Sequence, residues 1–583
     1  MKIEYKKNPE RHEFFRSLYE GALLAMKDTN EAFDRHMRQY RGSYEIDGSS
    51  EPAATVRNIT YEIIESQVSS DIPAPKVDPE CYSEGKLRNA HTVERLCYAV
   101  RDRLPFEVLN DIDERYTYVY GSSVWYVEWD HERSEGGRRG GVRVHCLSPK
   151  ALIPQPGVHS IADMEYCFLK FTTAKGELSR KYGIPEDKLS LAECEYEFQG
   201  IDTASDTVSV IVCYYRDEEG EIGQYSFSGD LTLLDIPCYY KRKVKVCSGC
   251  GEPPEACECG GESFVMKNEL FESLKISSLL KYGITPPDML TARFGEVEKI
   301  PYYSPKSFPI VIRKNTSAEE SLFGQSDCEY IRPEQQAINK VESRILQKLL
   351  RAGITPIMPE DATVSLNNSV FGQIIKMKPG ESAAQYGKVD TTPNIAQDIA
   401  EAERLYEHSK RTLGISDAFQ GIDMNSSESG YAKQLRISQA RGRLESKTKM
   451  KHTAYAELDR IIFEHYLAFA DEPRTLSYKD AYGRFHNEEF NRYSFIEYDV
   501  TTGEYYYDDA YLFSVDMNGG TGYGREALWQ KNLENLTSGA LGNPDRPETL
   551  LRYWQCQERA HYPYARENVE YFTEIINEGG AIL

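Results

Sequence analysis

LFGQSDCEYIRPEQQAINKVESRILQKLLRAG (322–353), IAQDIAEAERLYEHSKRTLG (395–414) and YAKQLRISQARGRLESKTKMKHTAYAELDRIIFEHYLAFA (431–470) decide the architecture. In the first, Ile331, Ile338, Val341, Ile345 and Leu349 recur every three or four residues, broadened by Ala337, Leu346 and Leu350, and Gly353 stops the run. In the second, Ile399, Ala402, Leu405 and Tyr406 repeat the pattern up to Gly414. The third has no proline, and as one helix it would span about 60 Å. A rod of that length needs packing partners along it, from its own chain or from other copies. The pattern describes architecture rather than a catalytic pocket.

Working outward, the remaining sequence alternates helical and strand-like patterns, so the fold class expected is α+β. Residues 8–41 and about 53–70 read as amphipathic helices, and a further one runs from about 85 to 103. SSVWYVEWD (122–130) and GVRVHCLSP (141–149) read as paired strands, each face partly covered, joined by the turn ERSEGGRRGG. A strand near MEYCFLKFT, a helix near Lys175–Tyr182 and a meander over 206–246 follow. Residues 266–320 are mixed, and the last 60 return to helix.

The 583 residues are enough for several domains, and 40% hydrophobic with 28% charged content describes an ordinary water-soluble composition. Forty-one tyrosines favour strands and half-wet interfaces. No apolar run approaches a membrane span, and MKIEYKKNPERHEFF has no apolar core for a secretory signal, so no membrane partner is expected. A net charge of −23 argues against a surface that grips nucleic acid everywhere, but suits a wall that lets it pass. An odd count of 13 cysteines argues against a disulfide framework. Cys81, Cys97, Cys146, Cys167, Cys194, Cys213, Cys238, Cys328 and Cys556 are scattered and read as small buried hydrophobes.

The other four cluster. Cys247-Ser-Gly-Cys250 and Cys257-Glu-Cys259-Gly-Gly, at the tip of an expected hairpin, carry the thiolate spacing of a structural Zn2+ site. The second pair departs from the usual CxxC of a zinc ribbon, and free thiols in a Gly/Pro-rich loop are the alternative. The third helix carries Lys433, Arg436, Arg441, Arg443, Lys447, Lys449, Lys451 and Arg460 against Glu445, Glu457 and Asp459. That pattern fits either phosphate contact or a solvated face paired with acidic neighbours. MNSSESGYAK before it suits a capped helix start. No P-loop, HExxH, GxSxG or dinucleotide fingerprint is present. The acidic clusters at 111–114, 217–219 and 505–509 read as solvated turns rather than catalytic sites.

In order of parts the chain resembles the portal proteins of tailed double-stranded DNA bacteriophages. The resemblance rests on FGQSDCEYIRPEQQAINKVESRI, on RTLGISDAFQGI, and on SSESGYAKQLRISQARGRLESK, where SG precedes a long basic helix. YVYGSSVWYVEWD, VRVHCLSP and IPQPG are similar to that family's wing region. It implies a portal fold: an α/β wing over 1–323, with a Cys-rich zinc-knuckle-like hairpin at 238–265 that is not a family feature; stem helices at 324–352 and 395–414; and a small α/β clip at 353–394. A tunnel loop at 415–430, the long helix and returning wing at 431–520, and a helical crown at 521–583 complete it.

The resemblance further implies a homo-oligomeric ring of about twelve copies at one capsid vertex of the virion, assembled in a bacterial cytoplasm. The ring would be the channel for genome packaging and ejection. Its expected partners are double-stranded DNA, the terminase large subunit, the major capsid protein and scaffold, and a head–tail adaptor. No covalent chemistry is expected of it. Asn425, Ser426, Ser427, Ser429, Lys433, Arg436 and Arg441 would face DNA. Lys340, Arg344 and Lys348, four apart on one stem face, would pair between copies or line the channel. The alternatives are a zinc-containing, metal-dependent nucleic-acid-processing enzyme and a monomeric minor capsid or scaffold protein.

Overall fold

The computed structural model describes residues 9–43, 55–135, 137–185, 188, 194–196, 207–217, 220–240, 243–247, 264–268, 271–275, 297–305, 307–351, 354–357, 387–390, 393–415, 430–479, 485–499, 501–516, 525–559, 562 and 565–579. The protein is α+β. It divides into two compact units, one of Met1–Asp34, Val68–Ser326 and Ser427–Leu583, the other of Arg35–Gln67 and Asp327–Ser426.

Two antiparallel sheets organise the first unit. In the three-stranded sheet, Ser122–Glu135 lies between Arg138–Leu147 and Ile310–Lys314. The larger sheet runs in the order Leu152–Pro154, Tyr166–Ala174, Thr207–Arg216, Ile222–Ser228 and Leu231–Ile236, with Cys194–Tyr196 also on Thr207–Arg216. Val124, Trp125, Tyr126 and Val127 are all buried, more than the alternation predicts. Trp125 packs on Phe106 and Tyr455, and the Tyr126 hydroxyl meets that of Tyr214 at 2.8 Å, so each face of the strand has aromatic cover. The strands also run further into the ERSEGGRRGG turn than expected, to Glu135 and from Arg138. Gly140 makes this possible: its φ is +86°, and a Cβ there would come within 2.8 Å of the Trp129 ring.

Helix Pro9–Ala25 lies on the larger sheet, where Phe15 stacks on Tyr225 at 4.4 Å and Tyr19 meets Phe168 and Phe227 edge-on. Helix Glu84–Arg103 is capped by Ser83, whose Oγ accepts from the Lys86 N–H. It ends at Leu104-Pro105, and a helix not evident in the sequence, Phe106–Tyr120, follows. Apolar periodicity conceals that helix because Asn110, Asp113, Glu114 and Thr117 are among the residues it buries. The long helix Gly430–Phe469 sinks Tyr455, Leu458, Ile461, Ile462, Phe463, Tyr466 and Leu467 into the core. Helices Arg525–Thr537, Pro547–Arg559 and Ala565–Gly579 pack in succession.

In the second unit, helices Asp327–Arg351 and Ala396–Leu413 pair antiparallel. Lys348, near the end of one, meets Asp398 at the start of the other, and Glu334 meets His408. Strands Ile354–Ile357 and Gly387–Asp390 pair antiparallel in the connection. Helix Ile59–Glu65 completes a core of Ile59, Ile63, Ile331, Ile338, Tyr406 and Ile415. Beneath it Gln335 accepts from both the N–H and the hydroxyl of Thr60 and donates to the Arg57 carbonyl.

The scattered cysteines divide. Cys97, Cys167, Cys213, Cys238 and Cys328 are buried as expected, Cys146 and Cys556 are half-buried, and Cys81 is exposed, contrary to expectation. Cys81 lies in the short Glu80–Ser83 connection ahead of a helix, and that connection is exposed. Among the described residues, no helix is long and apolar enough to cross a membrane.

Candidate functional site

Three surfaces follow from the expected site residues. Lys340 is exposed on helix Asp327–Arg351, and Arg344 and Lys348 have a carboxylate of their own chain nearby. Lys348 Nζ lies 2.5 Å from Asp398 Oδ2 and Arg344 Nη1 lies 3.7 Å from Oδ1, so the chain supplies its own carboxylate. A helix spacing of four aligns the two cations, and the return helix begins opposite them. This end of the pair also exposes apolar side chains: Leu349, Leu350 and Ile399 are 49%, 64% and 46% accessible. The apolar stripe is therefore buried at Ile331, Ile338 and Val341 and uncovered at its far end. At the near end Arg57 stacks on Tyr406 at 5.1 Å and reaches Glu403 at 2.8 Å, while the Tyr406 hydroxyl donates to Glu62.

On the long helix, Lys433, Arg436 and Arg441 fall by position within one half of the circumference of Gly430–Phe469. Asn425, Ser426, Ser427 and Ser429 lie outside the described residues. Further along, the basic residues already have partners. Lys449 pairs with Glu445 at 2.8 Å, Lys447 sits over the Tyr118 ring, Lys451 pairs with Glu114 at 3.0 Å, and Arg460 reaches Glu457 and Glu464. For residues 447–460 these pairs are what a face paired with acidic neighbours would show.

The acidic run at 111–114 is the clearest departure from expectation. Asp113 and Glu114 are not in a solvated turn but fully buried on helix Phe106–Tyr120. Arg313 Nη1 donates to Glu114 at 2.7 Å and also to Asp113, and Trp125 Nε1 and the Ser123 hydroxyl donate to Asp113. The Ser69 N–H donates to Glu114 at 3.1 Å. Burial alone would raise the Glu114 carboxyl, but Arg313 and Lys451 together hold it below its ordinary value. Burial would lower the Arg313 guanidinium, yet Asp113 and Glu114 drive it well above its usual range. Lys451 is lowered, chiefly by burial. The carboxylate oxygens are thus engaged by cations and neutral donors, which is the chemistry of a structural network. Asp508 in the 505–509 run is likewise buried, paired with Lys86 at 2.9 Å. Residues 218 and 219 lie outside the described residues.

Other polar links tie the second half of the long helix to its surroundings. Arg101 grips Asp459 with two hydrogen bonds, at 2.6 and 3.1 Å, and the Tyr455 hydroxyl donates to Asn110 at 2.8 Å. The Ser307 hydroxyl donates to Glu464 at 2.6 Å, and the Tyr466 hydroxyl to Glu135 at 2.5 Å. Burial pushes the Glu464 carboxyl up to about 7, with Arg460 and Ser307 opposing. Apart from Arg460, one turn before Glu464 on the same helix, none of these partners is near in sequence, so no local pattern marks them. The only sequence signal was charge at positions of helical spacing that ought to be apolar.

Cys250, Cys257 and Cys259 lie outside the described residues. Cys247 ends strand Lys243–Cys247, which pairs antiparallel with Phe264–Asn268 so that Cys247 is opposite Phe264. Among the described residues no three His, Cys, Asp or Glu side chains gather to hold a metal ion. No family model and no curated protein matches the sequence.

Proposed function

We propose that the chain is the subunit of a ring-shaped portal of a tailed double-stranded DNA bacteriophage. The observation that carries this reading is the order helix, strand pair, antiparallel return helix and long helix, with apolar side chains uncovered at the far end of the helix pair. A pair with so small a core of its own suits packing against identical neighbours in a closed ring. In this role about twelve copies surround a channel through which the genome is packaged and later ejected, and the predominantly acidic surface keeps the duplex from adhering. Residues 353–394 act as the clip that docks the terminase large subunit and then a head–tail adaptor. Residues 1–323 act as the wing, meeting the capsid and scaffold proteins, and 521–583 form the crown. Residues 415–430, with Lys433, Arg436 and Arg441, touch DNA, and the work of translocation comes from the motor.

Cys247, Cys250, Cys257 and Cys259 hold one structural Zn2+ as thiolates in this proposal. The pairing of Lys243–Cys247 with Phe264–Asn268 supports it by bringing together the two ends of the segment that carries the other three cysteines. Elemental analysis should find one zinc per chain, lost in a Cys250→Ser/Cys257→Ser variant; a metal-free wild type overturns it.

Electron-microscope class averages of the purified protein, with native mass on the same sample, test the main reading. Rings with a central channel are expected. Monomers that persist at high concentration and cleave DNA would replace it with the enzyme alternative, and inert monomers with the scaffold alternative.

A further inference from the structure

Residues 302–308 join strand Val297–Pro301 to strand Ile310–Lys314. Three hydroxyls in this connection each donate to a carboxylate of a different element. Tyr303 donates to Asp509 at 2.9 Å, Ser304 to Glu221 at 2.5 Å and Ser307 to Glu464 at 2.6 Å. Asp509 lies in the loop between strands Glu504–Tyr507 and Tyr511–Asp516, Glu221 just before strand Ile222–Ser228, and Glu464 on the long helix. Tyr302, Tyr303 and Phe308 are buried, with Arg492 over the Tyr302 ring and Arg216 over the Phe308 ring. Beyond Phe308 the chain is fixed to the three-stranded sheet, where the Val127 N–H donates to the Pro309 carbonyl at 3.0 Å.

Of the three carboxylates only Glu464 is buried; Glu221 is half-buried and Asp509 exposed. Among the described residues, the charges that face Glu464 are Arg460 and Glu457 on its own helix and Asp509 from the loop. The phenols of Tyr303 and Tyr240 also lie close to it. Lys306, within the connection, lies outside the described residues. Arg460 Nη1 reaches Glu464 at 3.2 Å while its Nη2 holds Glu457, so one guanidinium serves two carboxylates. Ionised, Glu464 is an enclosed anion with a shared cation and another carboxylate, Asp509, nearby. Protonated, it is a neutral group that still accepts from Ser307. Lifting the connection removes Ser307 and lets water reach the carboxyl, which favours the ionised form. Closure and the proton are therefore linked, and burial raises this carboxyl to about 7 from an ordinary 4.5 for the same reason.

We propose that residues 302–308 are a strap held down by the proton on Glu464 and loosened when that proton leaves. Closure is firmest below pH 4.5, weakens as pH rises from there to 7 and levels off above it. Release is confined to the connection, since both flanking strands remain paired, Val297–Pro301 with Phe271–Lys275 and Ile310–Lys314 with Ser122–Glu135. The proposal stands whether or not the chain forms a ring.

Chymotrypsin cleavage after Tyr302 and Tyr303 in the purified full-length chain, located by mass spectrometry, tests it, because both side chains are buried until the strap lifts. Rates are read against a Glu464→Gln variant, which keeps a neutral group at 464 at every pH and cancels the protease's own pH dependence. Between pH 6 and pH 8, cleavage of the wild type relative to the variant should rise about tenfold. Lys306→Gln should show the same rise. A constant ratio overturns the proposal, as does a rise that disappears in Lys306→Gln. Cleavage that climbs equally after the buried Tyr126 and Tyr466 also overturns it, because the whole unit would then be opening. If Glu464→Gln does not fold, cleavage after Tyr82, which is 78% exposed, replaces the variant as the reference within the wild type.

Discussion

The second half of the long helix and the far half of the helix pair carry similar apolar spacing but meet different fates. From Ala454 to Leu467 the long helix buries its apolar residues and also Asp459, Glu464 and His465, with Arg101, Ser307 and the Ile461 carbonyl supplied as partners. On the pair, burial stops at Val341, and Leu349, Leu350 and Ile399 face solvent although Asp398 beside them has its cations. One surface is completed by its own chain down to its charges. The other has its charges satisfied and its apolar residues uncovered, the reverse of a surface adapted only to water. Completed burial marks scaffold, and the uncovered apolar end is where the proposed ring would pack one copy on the next.

The largest loss is expected from removing a charge on the completed side. Arg313→Met leaves Asp113 and Glu114 buried with Lys451 as the one cation paired with them among the described residues, at a cost of about 4 kcal/mol. All four tryptophans (Trp125, Trp129, Trp529 and Trp554) belong to the first unit, so urea unfolding followed by tryptophan fluorescence should show the loss directly. An unchanged midpoint would mean that the network contributes nothing net.

Next comes the small core of the second unit. Ile338→Ala removes a fully buried side chain and should cost about 3 kcal/mol. The second unit has no tryptophan, so the loss is expected in the helical circular-dichroism signal while the fluorescence transition stays in place. Movement of both transitions together would show that the units do not unfold independently.

Glu464, on the completed side, makes its contribution depend on pH. Its carboxyl is raised to about 7 in the folded chain from an ordinary 4.5, so the native state holds the proton more tightly than the unfolded state does. Its contribution to stability is fully present below pH 4.5 and is lost as pH rises through 7. Glu464→Gln should flatten that slope and stabilise the protein at pH 8 by about 2 kcal/mol, somewhat less than the full shift because Arg460 loses one of its two partners. Denaturant midpoints between pH 4.5 and 8 measure it, and parallel wild-type and variant curves would refute it.

These contrasts also show which parts were legible beforehand. The paired helices and the long helix were, because period and stop signals are local: Gly353 and Gly414 end apolar repeats, and the structure begins and ends its helices within a few residues of them. Helix Phe106–Tyr120 was not, because its buried face is polar and its partners, Arg313 and Lys451, lie some 200 and 340 residues away. The same non-local pairing misled the charge reading. Asp113 and Glu114 resembled a solvated turn, and nothing near Lys451 in the sequence pointed to Glu114, since sequence displays charge but not the countercharge. For Lys348 the spacing was legible, but the carboxylate of its own chain that meets it, Asp398, was not.

The smallest effect on stability belongs to the far end of the helix pair, and there it is the smallness that carries the information. Leu349 and Leu350 are largely exposed, so a Leu349→Asp/Leu350→Asp variant removes little buried area and should stay within about 0.5 kcal/mol of wild type per substitution. If those side chains pack between copies, the same variant places two carboxylates in each interface, and the assembled species should vanish from native mass spectra while the monomer melts as before. A variant that assembles normally would show that this apolar end is covered by something other than a second copy, and the ring would then have to be held elsewhere. A variant that loses stability and assembly together would show that the two leucines support the fold of the pair, which their exposure argues against. Only the separation of the two effects, assembly lost and fold kept, fits an apolar surface left uncovered for a partner.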